Sequence, residues 1–329
     1  MLSTLYAAIA RRRRERYAAR PDLRRRLRHP VISIGNLAVG GRGKTPVAAT
    51  VARMLLEMGE RPAILSRGYG RARKTRDVVV VRDADQVRAE LDVSGDEPMM
   101  LARQLPGAVV LTCPDRYRAG RLAETELGAT VHVLDDGFQH LKLDRDIDLL
   151  LLGREDIERP LTLPAGRLRE PLDTIVVADA VLTRDEEVVV ETTGLDLPIY
   201  RLRQQTPIDR GTTVAASGGT AVLALAGIAS PQRFFDDLDA AGWDVADTMA
   251  FRDHHRYDRE DLVFIAETAG AAGAELVVTT EKDFVRLLPL QPWPVPIDFV
   301  AIDLVPEPFD KFRQWIAAEL LSTRGEPGA

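Results

Sequence analysis

Between Val31 and Met58 the chain reads as strand, glycine-rich loop and helix, and this order constrains the fold more than any other stretch. The apolar run Val31-Ile32-Ser33-Ile34 leads into Ala38-Val39-Gly40-Gly41-Arg42-Gly43-Lys44-Thr45, followed by a helical pattern from Val47 to Met58. A phosphate-binding loop has this form. Its backbone N–H groups wrap a polyphosphate, the lysine reaches the outer phosphates and the threonine hydroxyl ligates Mg²⁺. Ala38 stands where such loops have their first glycine, which is acceptable if φ stays negative there. The competing reading is a glycine-rich turn that binds nothing; the flanking strand and helix argue against it. The loop implies ATP or GTP and leaves open what the phosphate is used for.

With 329 residues, of which 45% are hydrophobic, the chain can build two domains or one large α/β unit. No apolar run approaches the ~20 residues needed to span a bilayer. Cys113 is the single cysteine, which excludes an internal disulfide framework and fits a reducing compartment. The formal charge of −6 is uneven: residues 11–28 carry ten arginines against Glu15 and Asp22, a local balance of +8. Leu2, Leu5, Tyr6 and Ile9 precede them at near-helical spacing. A secretory signal has the opposite order, basic before apolar. The segment 1–28 therefore reads as a basic amphipathic element for an anionic membrane face, with a solvated helix and nucleic-acid binding as competitors. No interleaved aromatics support single-strand binding.

Strand and helix candidates alternate through the first two thirds. Strands are expected at 31–34, 63–66, 78–82, 109–112, 131–134, 147–152 and 180–183, and helices at 47–58, 97–104 and 117–127. Near-continuous apolar strands such as Asp148-Leu149-Leu150-Leu151-Leu152 imply a mostly parallel sheet covered on both faces. The expected fold is α/β, a doubly wound sheet of the P-loop NTPase type spanning 29–208, with ligands at the carboxyl ends of its strands. Composition changes between Gln204 and Thr220, and a second, smaller α/β domain is expected at 215–300. The helix at 309–321 fits either unit.

Several groups beyond the loop can carry phosphoryl-transfer chemistry, which needs acids that hold Mg²⁺ and orient the acceptor. Val131-His132-Val133-Leu134 ends in Asp135-Asp136, where such an acid belongs, and Gly137-Phe138-Gln139-His140 follows. The competing reading, Asp-Asp-Gly as a simple turn, is weakened by the apolar strand before it. Gly95-Asp96-Glu97-Pro98 opens a helical segment, and its acids could serve only the helix dipole. Arg67, in Arg67-Gly68-Tyr69-Gly70, follows a strand end. Arg116 and Arg169 are candidate anion clamps, since guanidinium matches phosphate geometry, although a lone arginine is more often a solvated surface residue. Phe251-Arg252-Asp253-His254-His255-Arg256-Tyr257 concentrates acidic, aromatic and imidazole groups, and Thr279-Thr280-Glu281-Lys282-Asp283 ends another strand.

Taken in order, these segments resemble the tetraacyldisaccharide 4′-kinase family of lipid A biosynthesis in Gram-negative bacteria. The resemblance rests on Gly35-Asn36-Leu37 with the loop through Pro46, Ser66 to Gly70, Gly95 to Pro98, Asp135 to His140, Leu163 to Pro171, Phe251 to Tyr257 and Thr279 to Asp283, and so covers nearly the whole chain. Arg167 stands where the family often has proline, and Arg42 where it has a small residue. The resemblance implies transfer of the ATP γ-phosphate to the 4′-hydroxyl of tetraacyldisaccharide 1-phosphate, giving lipid IVA. It implies Lys44 on the β/γ-phosphates, Asp96 as catalytic base assisted by His254, and Mg²⁺ held or oriented by Thr45, Glu97, Asp135 and Asp136. Arg67, Arg116, His140 and Arg169 are implied on the substrate side. It also implies an enzyme at the cytoplasmic face of the inner membrane, meeting that anionic surface and no nucleic acid. The alternative is a P-loop GTPase or ATPase switch acting on a protein partner. A GTPase should carry Asn-Lys-x-Asp, and in Glu281-Lys282-Asp283 the lysine and aspartate are adjacent.

Overall fold

The computed structural model of the chain describes residues 2–40, 43–184, 196–205 and 219–325. Helix α1 (Leu2–Ala19) is followed by the central strand β1 (Val31–Asn36), helix α2 (Lys44–Glu57), β2 (Pro62–Ser66) and β3 (Val79–Arg82). Next come α3 (Leu91–Ser94), α4 (Asp96–Gln104), β4 (Val109–Thr112), α5 (Arg116–Glu126), β5 (Val131–Asp135), β6 (Ile147–Leu152) and α6 (Arg154–Glu158). Strands β7 (Ala180–Thr183) and β8 (Ile199–Gln205) continue the first sheet. The second sheet follows with β9 (Val222–Ala226), α7 (Pro231–Ala240), β10 (Val245–Ala250), α8 (Arg259–Ala272), β11 (Leu276–Thr280), α9 (Glu281–Leu287) and β12 (Ile297–Val300). The chain closes with β13 (Asp303–Glu307) and α10 (Phe309–Gly325).

Nine strands form the first sheet in the order β13-β8-β7-β6-β1-β5-β2-β4-β3, parallel except where β13 meets β8 and β3 meets β4. All six residues of β1 are buried, as a strand flanked on both edges and covered on both faces requires. Ile32 and Ile34 face one layer, with Val47, Val51, Met54 and Leu55 of α2. Val31 faces the other, with Ala119 and Ala123 of α5. Ile34 lies opposite Asp135 in the register of β1 and β5, so the glycine-rich loop and the acidic pair emerge side by side. Four parallel strands, β10-β9-β11-β12, form the second sheet.

The chain returns to the first sheet through β13. Leu304 enters its core, and α10 packs there through Phe312, Ile316 and Leu320, with the Phe312 ring edge-on to Tyr200 at 5.0 Å. Four strands, β8, β10, β12 and β13, were not legible in the sequence. β8 alternates buried Tyr200 and Leu202 with exposed Arg201 and Arg203 beside a compositionally irregular stretch. β10 is a largely exposed edge. β13 contains Pro306, which only an edge strand tolerates. The expected boundary between 208 and 215, and the loop residues Gly41 and Arg42, lie outside the described residues.

Candidate active site

The carboxyl end of β1 carries the loop. Ala38 is buried and bridges Leu168, and it is absent from the positive-φ residues, so alanine fits its backbone there. Val39 donates its N–H to the Arg167 carbonyl at 2.8 Å. Gly40 has φ +101. Gly43 turns into α2 with φ +84, and a Cβ there would sit 2.3 Å from Leu304 Cδ1, so both dihedral and space demand glycine. Lys44 Nζ donates to Asn36 Oδ1 at 3.1 Å and to the Gly40 carbonyl at 3.3 Å, and lies 3.6 Å from Asp136 Oδ1. The lysine is thereby held extended along the loop's rim.

The acids lie on the adjoining strand end. Thr45 Oγ1 is 3.3 and 3.4 Å from the two oxygens of Asp135. Burial, then the nearby Glu97 and Asp136 carboxylates, push the Asp135 carboxyl well above its usual range. A bound cation would relieve that cost. Among the described residues no three acidic, cysteine or histidine side chains make a ready metal cage. The set of one hydroxyl and one buried carboxylate, with Glu97 near, fits Mg²⁺, which takes one or two protein oxygens and completes its shell with phosphates and water. Asp136 behaves differently. Burial opposes its ionisation, but the Arg169 hydrogen bonds and the Lys44 charge outweigh it and hold the carboxyl below its ordinary value.

Arg169 donates to Asp136 Oδ1 at 2.9 Å and to Asn36 Oδ1 at 2.6 Å. Arg116 is almost fully buried, with one hydrogen bond to the Pro114 carbonyl at 3.2 Å; burial and then Arg67 lower its pKa to about 10. Asn36 Nδ2, Arg116 Nε and Arg169 Nε are buried donors without partners. Such groups are costly unless something accepts from them, and phosphate oxygens would. Burial, then Arg116, depress the His140 imidazole to about 4. Arg67 is exposed, its guanidinium 5.3 Å above the Tyr69 ring. Arg167 hangs over the loop with Nη2 at 3.3 Å from the Val39 carbonyl, and also pairs with Glu155.

At the other end of the cleft α9 packs on α4. Gly95 has φ +86, and a Cβ there would lie 2.6 Å from the Tyr69 carbonyl, so the chain enters α4 by a path open to glycine. Asp96 and Glu97 fall in the first turn, where helix dipoles favour anions. Oδ2 of Asp96 lies 3.0 Å from His254 Nδ1 and accepts from Arg286 Nε at 2.8 Å and Nη2 at 2.7 Å. Burial opposes the charged carboxylate, but His254 and Arg286 prevail and lower its pKa. His254 Nε2 is 3.3 Å from Lys282 Nζ, whose ammonium is also 3.6 Å from Glu97. His254 Nδ1 also lies 3.3 Å from Arg286 Nη2, so that nitrogen faces both the carboxylate and the guanidinium. A cavity of about 230 Å³ opens beside these groups, lined in part by Gly70, Leu91, Asp96, His254 and Tyr257. Among the described residues Asp136 and His254 are the two non-glycine positions with positive φ, 55° and 58°, and both lie in this cleft. Such backbones cost energy and persist where surroundings enforce them.

The neighbouring histidine has another role. His255 Nε2 pairs with Asp261 at 2.8 Å, and the ring stacks on Phe251 at 4.5 Å. Two groups were not singled out in the sequence as site residues. Asn36 couples Lys44 to Arg169; its signal was the Gly-Asn-Leu run ahead of the loop. Arg286 belongs to no recognised segment, and its part was visible only once α9 was placed against α4.

A family model described as tetraacyldisaccharide-1-P 4′-kinase matches residues 1–321. A tetraacyldisaccharide 4′-kinase of Pelobacter propionicus is 43% identical over 298 residues, covering 88% of this chain and 82% of its own. That of Syntrophus aciditrophicus is 38% identical over 325 residues, covering 90% and 86%. The crystal structure of LpxK from Aquifex aeolicus in complex with ATP aligns with a TM-score of 0.82 at 31% identity, over 97% of each chain.

Proposed function

Because the chain belongs to the tetraacyldisaccharide-1-P 4′-kinase family, we propose a division of labour along its cleft for the reaction of that family. The enzyme is a kinase of lipid A biosynthesis: ATP gives its γ-phosphate to the 4′-hydroxyl of tetraacyldisaccharide 1-phosphate, forming lipid IVA and ADP. The switch alternative is not favoured. In the reaction the 4′-oxygen bonds to the γ-phosphorus, the bond to the bridging oxygen breaks and ADP leaves. The hydroxyl proton passes to Asp96.

Asp96 suits that task by position. His254 and Arg286 fix one of its oxygens, and the carboxylate stays ionised until a proton arrives late in transfer. Lys44 swings from its loop partners onto the β/γ-phosphates, and the loop residues from Ala38 to Thr45, including Gly41 and Arg42, wrap the nucleotide. Thr45 and Asp135 would hold Mg²⁺, with Glu97 and Asp136 orienting its shell. When bound, that ion neutralises phosphate charge. Arg116 and Arg169 offer unpartnered buried N–H groups to phosphate oxygens, and Arg67 and His140 flank them. Residues 29–208 with the last helix make the kinase core, and 215–300 the smaller domain that brings His254, Lys282 and Arg286.

No helix among the described residues is long and apolar enough to cross a membrane. We place the enzyme peripherally on the cytoplasmic face of the inner membrane. We infer that α1 serves that contact chiefly through its apolar residues. Arg11 pairs with Asp173, Arg14 with Glu170 at 2.7 Å, and Arg24 and Arg26 with Asp144. These arginines, expected on the lipid surface, dock the segment on the protein instead. Leu2, Leu5 and Ile9 stay exposed, as do Leu161 and Val176 on segments that α1 touches. Apolar insertion, assisted by exposed Arg12 and Arg16, supports a membrane partner better than nucleic acid.

The observation that carries the catalytic reading is the 3.0 Å contact between Asp96, at the start of α4, and His254, in the loop after β10. Incubation with γ-labelled ATP and tetraacyldisaccharide 1-phosphate tests it. Label is expected in the glycolipid. Label only in free phosphate would point to the switch.

A further inference from the structure

Arg286 lies on the seven-residue helix α9, 190 positions from Asp96, yet it makes more of that carboxylate's contacts than any other side chain. Both Nε and Nη2 donate to one oxygen, Oδ2. Among the described residues Oδ1 accepts no hydrogen bond. Nη1 is committed elsewhere, to Asp283 Oδ1 at 2.7 Å and to the Gly227 carbonyl at 2.8 Å. Asp283 is itself immobilised by the Gly227 N–H at 2.9 Å, Thr280 Oγ1 at 2.7 Å and Tyr257 Oη at 3.1 Å. Its side chain is fully buried and that of Arg286 is 4% exposed. The guanidinium therefore cannot turn without breaking several buried polar contacts at once.

We propose that Arg286 is the positioning residue of the phosphoryl acceptor end: anchored through Asp283 and Gly227, it pins Asp96 Oδ2 and leaves Oδ1 free for the acceptor hydroxyl. This rests on Asp96 being the base. His254 alone cannot do the same work. Its side chain is 44% exposed, and it supplies one contact from a loop residue. Arg286 supplies two contacts in the fixed geometry of a planar fork, which sets the direction of a carboxylate as a single donor cannot. It also makes the base dependent on the second sheet, because Gly227 directly follows β9 and Asp283 lies in α9, the helix that follows β11.

The test is a two-residue cycle in single-turnover transfer from γ-labelled ATP to tetraacyldisaccharide 1-phosphate, with ATP affinity measured alongside. Arg286→Gln should slow transfer by about 10–100-fold, as misplacement of a reacting group does. The ATP dissociation constant should stay within about twofold. In the Asp96→Ala background the same change should cost less than about twofold, because groups acting as a unit are not additive. Arg286→Lys keeps the charge without the fork and should recover part of the rate. It also replaces Arg286→Gln in the cycle if that variant does not fold. An equal loss in both backgrounds would overturn the positioning role and leave Asp96 as base. Wild-type turnover by Asp96→Ala would overturn both.

Discussion

At the phosphate end of the cleft, Asn36, Lys44 and Thr45 sit on one strand–loop–helix unit, and Asp135 and Asp136 emerge from the next strand in register. At the end proposed to accept the proton, Asp96 meets His254 across 158 positions and Arg286 across 190, on the loop after β10 and on α9. The first end is prepared by local backbone geometry and the strand pairing of one sheet. The second exists only where α9, which follows the second sheet, packs on α4, which flanks the first. Damage at the first end should thus reach both nucleotide binding and rate, and damage at the second should reach rate alone.

Lys44→Ala probes the local end and carries the largest expected effect. The variant should lose about 10²–10³ in kcat, the usual cost of removing one electrostatic contact to the transition state. Steady-state transfer from labelled ATP checks it, and a loss below tenfold would break the assigned role. His254→Ala probes the assembled end. It should lower kcat by about 10–100-fold with ATP affinity within about twofold. Combined with Asp96→Ala it should add little, and a fully multiplicative loss would mean that the two side chains act independently.

The same contrast explains what could be read from the sequence. The loop, the strand before it and the acids at 135 and 136 were legible because their chemistry is contiguous and their strands are apolar throughout. Asp96 and His254 were legible as residues only through their short segments; that they touch is a tertiary fact. Arg286 was hidden, since a single arginine on a short helix has no period and no neighbours that mark it. β13 was hidden for a related reason. Its Pro306 argues against a strand, and only its antiparallel place at the sheet edge permits one. The arginines of residues 11–28 were legible as a charged block. Their partners Asp173, Glu170 and Asp144 lie far along the chain, so docking onto the protein could not be anticipated.

The sheet that supports the local end can be weakened without touching the cleft. Glu124 accepts from the His29 N–H at 2.9 Å and lies 3.2 Å from His132 Nε2 on β5, the strand that ends in Asp135. Burial opposes its charge, but the hydrogen bonds from His132, His29 and Arg28 win and hold it at about 2, against an ordinary 4.5. A carboxyl depressed on folding stabilises the fold fully above its unfolded value. That contribution fades as pH falls from about 4.5 towards 2. Glu124→Gln should therefore cost about 1.5–3 kcal/mol at neutral pH, with the difference from wild type shrinking below pH 4.5. Denaturant melts at pH 7 and pH 3.5 measure this; an equal difference at both would show that the charge of Glu124 is not what matters.

The smallest effect is expected furthest from both ends. Replacing Leu5 and Ile9 with serine should weaken co-sedimentation with anionic vesicles several-fold, as loss of two inserted apolar side chains implies. ATP affinity should not change. If substituting exposed Arg12 and Arg16 weakens vesicle binding while the serine variant does not, charge rather than insertion makes the contact.

The claim that the cleft has two separable ends is tested most directly on Asp96→Ala, by measuring ATP affinity and single-turnover transfer on the same preparation. The account predicts ATP affinity within about twofold of wild type with transfer slowed about a hundredfold or more. Loss of ATP binding in proportion to transfer, or transfer at the wild-type rate, would contradict it.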